Sequence, residues 1–410
     1  MKPTNNTTTQ HTKYASASEA GAASKAAKSF VAPRSGFNYQ MCILSAIAIS
    51  FVILGHIKND YTSIGSLFGW FPYYAFHLPL FLFISGYFFQ EIPEDHFFRF
   101  FGKFLWKKIK TLVIPFYVIN SIFLIITLIM EPWGIVPAHH YGVLEWLVSP
   151  FIYLQPATYS APSWYLMALF FTEIVYLLLR RCICLIIRKD LARDIVILLL
   201  CLLLSMAAIW FRNTHDVSET ALVYLRSVVM LAFLPVGRIY RRYLEKLDRL
   251  PSLAYFAIAF AIQAAIIFLS PKQYPGFDLY IMEQFDLTGI LYILAGLTGI
   301  MLWLRISRLI ASIPAKSHFL TFMGSNTLFI MSFHLFGMFL LNSLLCLLKE
   351  SGAGGIFLEG FDPVQFRSAS YYYVFTDNLR FVVLYFICGL FFSLLVAWVI
   401  RKVQGRLHRR

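Results

Sequence analysis

Charged side chains are scarce in this sequence. Asp, Glu, Lys and Arg make up 14% of the 410 residues, whereas 59% are hydrophobic. Soluble domains carry about 25% charged residues. The apolar runs recur along the chain, and about 20 such residues are enough to cross the hydrocarbon core of a bilayer. The composition therefore excludes an ordinary soluble protein and predicts a multi-pass protein whose first partner is the lipid bilayer.

Cysteine is also scarce, and the cysteines follow no spacing that is typical of disulfides or metal sites. The six cysteines suggest no disulfide framework. Cys182 and Cys184 lie one residue apart, but they have no second pair and no nearby histidines to complete a zinc site. An internal repeat and a folded soluble domain are lacking as well. The sequence therefore predicts one membrane domain without a metal.

Acidic residues are outnumbered by basic ones, which leaves a formal net charge of +14. The excess lies in alternate connections between the apolar runs, where 28 of the 35 Lys and Arg residues share one side with the N-terminal tail. The positive-inside rule then places both termini in the cytoplasm. The charge is mainly a topology signal, with contact to acidic phospholipids as a lesser addition, and we expect no nucleic-acid partner.

The order of apolar segments predicts an all-α polytopic membrane protein with a bundle of about ten transmembrane helices. Residues 1–36 are polar and rich in Ala, Ser and Thr, which predicts a disordered cytoplasmic tail. Residues 37–403 form the transmembrane domain, and residues 404–410 form a basic cytoplasmic C-terminus. The predicted spans begin near Asn38, Trp70, Thr111, Ala161, Asp194, Thr220, Pro251, Phe285, Phe319 and Asn378.

Three histidines interrupt segments that otherwise suit lipid. With the predicted topology, His56 ends the first span at its outer mouth, and His77 lies one to two turns below that face. His334 also falls in the outer half of its span. Ionisable residues inside membranes are costly and usually mark cavities or functional sites. Each histidine could instead hydrogen-bond to a neighbour in the bundle, and this alternative is weakest for His56 because polar residues surround it.

Other polar groups also lie within or beside the predicted spans. Glu173 is near the middle of its span, where it fits helix–helix contact and a functional site equally well. Arg226 lies several residues inside its span and needs a carboxylate or an anionic ligand; Glu283 and Asp286 are the possible partners. The lysines of residues 103–110 suit lipid headgroups, or a phosphate-binding patch for an anionic cofactor.

Five motifs give the chain a family resemblance. In order and spacing they resemble the acyltransferase 3 family, and most of all its fucose-4-O-acetylase-like branch, over roughly residues 37–401. Each motif alone is weak, but five in order are fairly specific. The motifs are ILSAIAISFVILGH, FHLPLFLFISGYFF, KKIKTLVIPFY, SWYLMALFF and GSNTLFIMSFH.

The resemblance implies an inner-membrane enzyme with ten or eleven helices. Such an enzyme moves an acyl group, usually acetyl, from cytoplasmic acyl-CoA to a hydroxyl group, and here we expect that of a cell-surface or exported glycan. His56 matches the catalytic histidine of the first helix, and Ser85, Gly86 and Tyr87 match the SGY element. The basic stretch and the late histidine match Lys107, Lys108, Lys110, Pro115 and His334.

One position departs from the family pattern. The family usually has Arg or Lys eleven positions before the catalytic histidine, and this chain has Ser45 there. About three helical turns separate the two positions, so a base at Ser45 would lie deeper, where it could meet the acyl donor. The departure leaves the binding mode of acetyl-CoA open.

These observations predict an acetyl-CoA-dependent O-acetyltransferase with His56 and His77 as catalytic residues. His56 would deprotonate the acceptor hydroxyl, while Lys107, Lys108, Lys110 and Ser85 would bind the donor. Tyr87, Trp164, Tyr165, Glu173, Arg226 and His334 would orient or support the acceptor. One alternative is a transporter or flippase for a lipid-linked glycan, which would show inverted repeats. Another is a glycosyltransferase, which would need acidic residues in the first outward loop.

Overall fold

The computed structural model shows a helical protein. The predicted tail, residues 1–36, lies outside the residues that it describes. The chain divides into two units, Met1–Tyr39 and Gln40–Arg410, and the second holds the candidate site. The described residues are 37–57, 67, 69–90, 96–136, 142–152, 158–269, 277–280, 282–283, 285–353, 355–369, 373–376 and 378–407.

Helices account for the regular structure of these residues, and no strand occurs among them beyond one isolated bridge between Asp278 and Glu283. In chain order the helices are α1 (Tyr39–Ile57), α2 (Tyr73–Tyr87), α3 (Phe97–Lys108), α4 (Ile114–Met130), α5 (Val143–Ile152), α6 (Trp164–Ile186), α7 (Asp190–Thr214), α8 (Glu219–Val229), α9 (Leu234–Ile239), α10 (Ser252–Leu269), α11 (Ile290–Ser312), α12 (His318–Gly324), α13 (Thr327–Glu350), α14 (Pro363–Ser368) and α15 (Leu379–Leu407).

Eight helical runs in the described part of the chain are long and apolar enough to cross a membrane, which confirms the helical polytopic class. Two other predicted spans differ in character: α2 has only 15 residues, and α6 carries Glu173, Arg180 and Arg181. A total of about ten spans and the cytoplasmic location of the termini stay predictions. The eight runs are Tyr39–Ile57, Phe97–Trp133, Asp190–Thr214, Glu219–Leu244, Ser252–Leu269, Ile290–Ser312, Thr327–Glu350 and Leu379–Arg406.

Two glycines hold α2 tightly against α9. A Cβ atom on Gly86 would lie 1.9 Å from the carbonyl oxygen of Leu234, and one on Gly237 would lie 1.9 Å from that of Phe83. Neither position has room for a side chain, so the two backbones meet as small residues allow in membrane bundles. This contact fixes the rotation of α2 about its axis, and with it the directions of His77 and Ser85.

The basic segment forms an amphipathic helix that continues through a π-helical turn into α4. None of the residues of α3 is buried. Pro115 has no N–H and would crowd the carbonyl group four residues earlier, so the helix widens at Ile109–Val113. An extra residue in one turn shifts the faces of the two helices against each other. This shift separates Lys107 and Lys108 from Lys110.

The late histidine lies on a helix that begins after a break. The span predicted to begin near Phe319 is divided into α12 and α13, and α13 begins at Thr327. At the break, a Cβ atom on Gly324 would lie 2.0 Å from the carbonyl oxygen of Cys42, so this turn packs directly on α1. The contact sets the height of α13 beside α1.

One buried carboxylate ties three helical segments together. Asp194 on α7 accepts from Arg180 Nη1 of α6 at 2.7 Å and from Arg238 Nε of α9 at 3.2 Å through the same oxygen. Its other oxygen accepts from the Tyr243 hydroxyl at 3.0 Å. We call these four residues the Asp194 cluster. Both carboxylate oxygens are satisfied, as buried charges require.

Candidate active site

A cavity of about 660 Å³ opens among α1, α2, α3, α6 and α13. Its lining is mostly apolar, with polar groups concentrated in a few places, as is usual for small-molecule sites. Most of the residues predicted for the site contribute to it, although they come from separate parts of the chain. The predicted residues in the lining are His56, His77, Ser85, Lys107, Lys108, Trp164, Tyr165 and Glu173.

The cavity runs along two antiparallel helices. The Tyr74 hydroxyl donates to the Gly55 carbonyl oxygen at 2.6 Å, which joins the end of α1 to the start of α2. His56 and Ser45 on α1 both line the cavity, and eleven residues of helix correspond to about 16 Å. We call the part at His56, His77 and Trp164 the histidine end. The part at Lys103, Lys107 and Lys108 is the lysine end.

Two of the predicted histidines meet directly at the histidine end. The ring centroids of His56 and His334 are 5.1 Å apart. His334 Nδ1 lies 2.8 Å from the Ile330 carbonyl oxygen, and because that oxygen only accepts, Nδ1 donates. In the neutral ring the Nε2 atom is then an acceptor; it is buried and has no hydrogen-bond partner among the described residues. His334 therefore presents an open basic nitrogen in the second layer around the cavity.

His77 is held in the same tautomer. Its Nδ1 lies 2.7 Å from the Tyr73 carbonyl oxygen, so Nδ1 donates and Nε2 is left as the acceptor in the neutral ring. The ring of Tyr74 meets it edge-on at 5.4 Å. His56 and His77 thus line one cavity with the chemistry expected of general bases.

Aromatic rings form the rest of the wall at the histidine end. Trp164 and Tyr280 lie with their ring centroids 5.5 Å apart. The hydroxyl group of Tyr165 is buried without a partner, so it is a donor available to a bound molecule. Arg226 lies behind this wall, with its guanidinium carbon 4.6 Å from the Trp164 ring centroid.

The partners predicted for Arg226 are wrong. Glu283 instead pairs with Arg212 at 3.6 Å. Asp286 accepts from the Thr288 hydroxyl at 2.9 Å and from backbone N–H groups at the start of α11. The described part of the chain holds no ion pair to Arg226, and its Nε and Nη1 atoms are buried without hydrogen bonds.

A charged cluster lies toward the lysine end. Glu173 is buried and forms an ion pair with Lys108. The Ser85 hydroxyl donates to the other Glu173 oxygen at 2.7 Å. Lys103 and Lys107 line the same part of the cavity. Glu173 thus joins α2, α3 and α6 and also lines the cavity. The predicted helix–helix contact is observed, and a role of Glu173 in the site stays a prediction.

Two predicted site residues point elsewhere. Lys110, within the π-helical turn, places its Nζ 5.0 Å from the Trp106 ring centroid and is outside the cavity lining. The Tyr87 hydroxyl donates to Glu245 at 2.8 Å and also lies outside that lining. Ser45 lines the cavity, but its hydroxyl donates to the Met41 carbonyl oxygen at 2.9 Å. Among the described residues, no group of three His, Cys, Asp or Glu side chains is placed to hold a metal.

Sequence reasoning missed several residues of the wall. Tyr74, Gln90, Asp278 and Tyr280 line the cavity and belong to no motif. Tyr74 had a usable signal, because three residues in a helix bring it to the same face as His77. Tyr280 lies in a turn before α11, where neither hydropathy nor spacing indicates which way a side chain points.

The family comparison agrees with this geometry. A family model described as an acyltransferase domain matches residues 39–402, which is nearly the whole chain. The chain belongs to the acyltransferase 3 family. No curated protein and no solved structure matches this acyltransferase significantly. The membrane acyltransferase function is thereby established at the level of the family, and the fucose-4-O-acetylase-like branch stays a prediction.

Proposed function

We propose that this membrane acyltransferase moves an acetyl group from acetyl-CoA to a hydroxyl group of a cell-surface or exported glycan, and that it works in the cell inner membrane. The observation that carries the proposal is the single cavity that joins three lysines to two histidines. One end suits an anionic donor and the other suits base catalysis.

The lysine end suits the phosphates of coenzyme A. Lys103 and Lys107 line it together with Gln90. Lys108 is shared with Glu173, so it contributes less free charge than its neighbours. Between the two ends the lining is apolar, with Phe81 and Ile84 on α2. This stretch fits the flexible arm that carries the thioester toward the histidine end.

The histidine end supports a direct transfer. His56 takes the proton of the acceptor hydroxyl as that oxygen attacks the thioester carbonyl carbon. The unpartnered Tyr165 hydroxyl donates to the oxyanion that forms. The carbon–sulfur bond then breaks, the ester is released, and the thiolate of coenzyme A takes up a proton. His77 orients the acceptor through its Nε2 atom.

The aromatic wall supports a sugar as the acceptor. Trp164, Tyr74 and Tyr280 face the cavity beside the two histidines. Flat rings of this kind stack on the apolar faces of sugars while leaving the hydroxyl groups free to reach a base. An acceptor bound there would place one hydroxyl near His56.

The test uses acetyl-CoA labelled in its acetyl group, membranes that contain the protein, and a mixture of surface glycans. The His56→Ala variant should lose about 10²- to 10⁴-fold in transfer, the range for loss of a general base. The control is His215→Ala, because His215 is exposed and stacks on Phe211 at 4.4 Å outside the cavity. Full activity of His56→Ala would overturn the assignment of the base, and wild-type membranes that leave acetyl-CoA intact would overturn the donor.

A further inference from the structure

Arg226 differs from the other buried arginines. Five arginines are buried in the part of the chain that the structure describes. Four of them form ion pairs with aspartates: Arg180 and Arg238 with Asp194, Arg193 with Asp190, and Arg305 with Asp248. Arg226 is 3% exposed, and it forms no ion pair with any residue that the structure describes.

The surroundings of Arg226 are aromatic. Its guanidinium carbon lies 4.6 Å from the Trp164 ring centroid and 5.6 Å from that of Tyr280. Both rings line the histidine end of the cavity. The Nε and Nη1 atoms are buried without hydrogen-bond partners. The guanidinium thus offers two unused donors directly behind the wall where an acceptor would bind.

Contacts with two aromatic rings do not compensate for the free-energy cost of burying the Arg226 charge. A cation over an aromatic ring is weakly stabilised, whereas a buried charge without a counter-ion loses its whole hydration. Replacement by an apolar side chain of similar length would remove that penalty. A ligand therefore explains this arginine better than folding does. Buried polar groups that lack partners in the protein occur mainly at functional sites.

We propose that Arg226, Trp164 and Tyr280 form an anion subsite for the acceptor, which makes the acceptor an acidic sugar. The carboxylate or phosphate of the sugar pairs with the guanidinium, and its ring lies against the aromatic side chains. Arginine suits this role because its fork of N–H groups matches planar anions. The assignment rests on the proposed function, which supplies a glycan as the acceptor.

The anion reaches Arg226 past one of the two rings. Trp164 begins α6, whereas Tyr280 belongs to a turn, so moving the Tyr280 ring would open this path with less disturbance of the helices. Asp278 lines the same wall and accepts the backbone N–H of Tyr280 at 2.8 Å. No ion pair joins Asp278 to Arg226 within the described residues, so the guanidinium stays available to an external anion.

Binding is measured on the full-length protein in detergent by thermal stabilisation with three sugars. Methyl β-D-glucuronide and glucose 6-phosphate carry an anion, and methyl β-D-glucoside is the neutral match. The wild type should bind at least one charged sugar about tenfold or more tightly than the glucoside, as expected for a charge-assisted contact. Arg226→Met should lose this preference, and Arg226→Lys should keep part of it. A preference for one charged sugar identifies the anion.

Stability provides the matched control. Arg226→Met should melt no lower than the wild type, whereas Arg305→Met should melt lower because it breaks the buried pair with Asp248 and leaves that carboxylate with Arg308 alone. A wild type without preference for either charged sugar would overturn the subsite, and so would a preference that survives in Arg226→Met. An Arg226→Met variant that unfolds as readily as Arg305→Met would show a structural role and overturn it as well.

The same variants distinguish this inference from the proposed function. If membranes transfer no acetyl group to any sugar, but the charged-sugar preference depends on Arg226, then the acetyl transfer fails and the subsite stands. If transfer occurs equally well to charged and neutral sugars in both wild type and Arg226→Met, then the acetyl transfer stands and the subsite fails.

Discussion

The Asp194 cluster and the histidine end of the cavity are both buried and polar, but they differ in whether key polar atoms have hydrogen-bond partners. Both oxygens of Asp194 are occupied by donors from α6, α9 and the turn after it. At the histidine end, His334 Nε2 and the Tyr165 hydroxyl have no hydrogen-bond partner in the part of the chain that the structure describes. The Asp194 carboxylate is therefore satisfied without a ligand, whereas these two groups at the histidine end are not.

This difference distinguishes residues that stabilise the fold from residues that are available to a substrate. Leaving a buried polar group without a hydrogen bond costs about 1–3 kcal/mol. A bundle held by buried ion pairs such as those of the Asp194 cluster can tolerate that cost at the histidine end, where the open donor and acceptor later meet a substrate. Substitutions in the two regions should therefore differ in kind: those in the Asp194 cluster change stability, and those at the histidine end change activity.

The largest effect is expected from Asp194→Ala. Removing the carboxylate leaves Arg180 and Arg238 buried without their counter-ion, and breaking such a buried pair lowers the free energy of unfolding by about 3–5 kcal/mol. The melting temperature of the purified protein should fall accordingly. A variant with unchanged melting temperature but lost activity would contradict this prediction, because it would show that the cluster takes part in catalysis.

His334→Leu should have the reverse effect of Asp194→Ala: activity should fall while stability is kept. Leucine fills the space and removes the unpartnered Nε2, so the melting temperature should stay within a few degrees of the wild type. The His56 ring loses a neighbour whose centroid lies 5.1 Å away. We expect this loss to loosen the orientation of the base, so turnover should fall about tenfold to hundredfold. The KM for acetyl-CoA should not change, because the donor binds at the lysine end.

The control for His334→Leu is His215→Leu, which lies outside the cavity and should leave turnover unchanged. Equal turnover of His334→Leu and wild type would show that His334 only fills space. A lowered melting temperature together with normal turnover would place His334 with the Asp194 cluster, as a structural residue.

The sequence allowed the fold to be predicted well, since an apolar run of 20 residues has few alternatives to a membrane helix. It also allowed His56, His77 and His334 to be grouped, because depth along a helix follows from residue counting. Residue counting along the helices could thus predict that these histidines lie close together, although only His56 and His77 line the cavity. The break before Thr327 was not, because it depends on how closely Gly324 approaches Cys42.

Direction around a helix was harder to predict than depth. Ser85 and Tyr87 belong to one motif and were both predicted to serve the site, Ser85 for the donor and Tyr87 for the acceptor. Two residues turn a helix by about 200°, so Ser85 faces the cavity and Tyr87 faces Glu245. Lys110 was grouped with Lys107 and Lys108, and the π-helical turn moves it away. The isolation of Arg226 depends on which acidic residues fold near it, and no local pattern shows that.

The smallest expected effect compares Lys107→Met with Lys110→Met. Lys107 lines the lysine end, whereas Lys110 lies over Trp106. Both are exposed cations on one amphipathic segment, so their loss should change stability equally little. A partly exposed contact with a phosphate is worth about 0.5–1 kcal/mol, so the KM for acetyl-CoA should rise about two- to fivefold in Lys107→Met alone. Initial rates at several acetyl-CoA concentrations and low ionic strength measure this rise. An equal rise in Lys110→Met would mean that the whole basic face attracts the donor, and that the cavity does not select among these lysines.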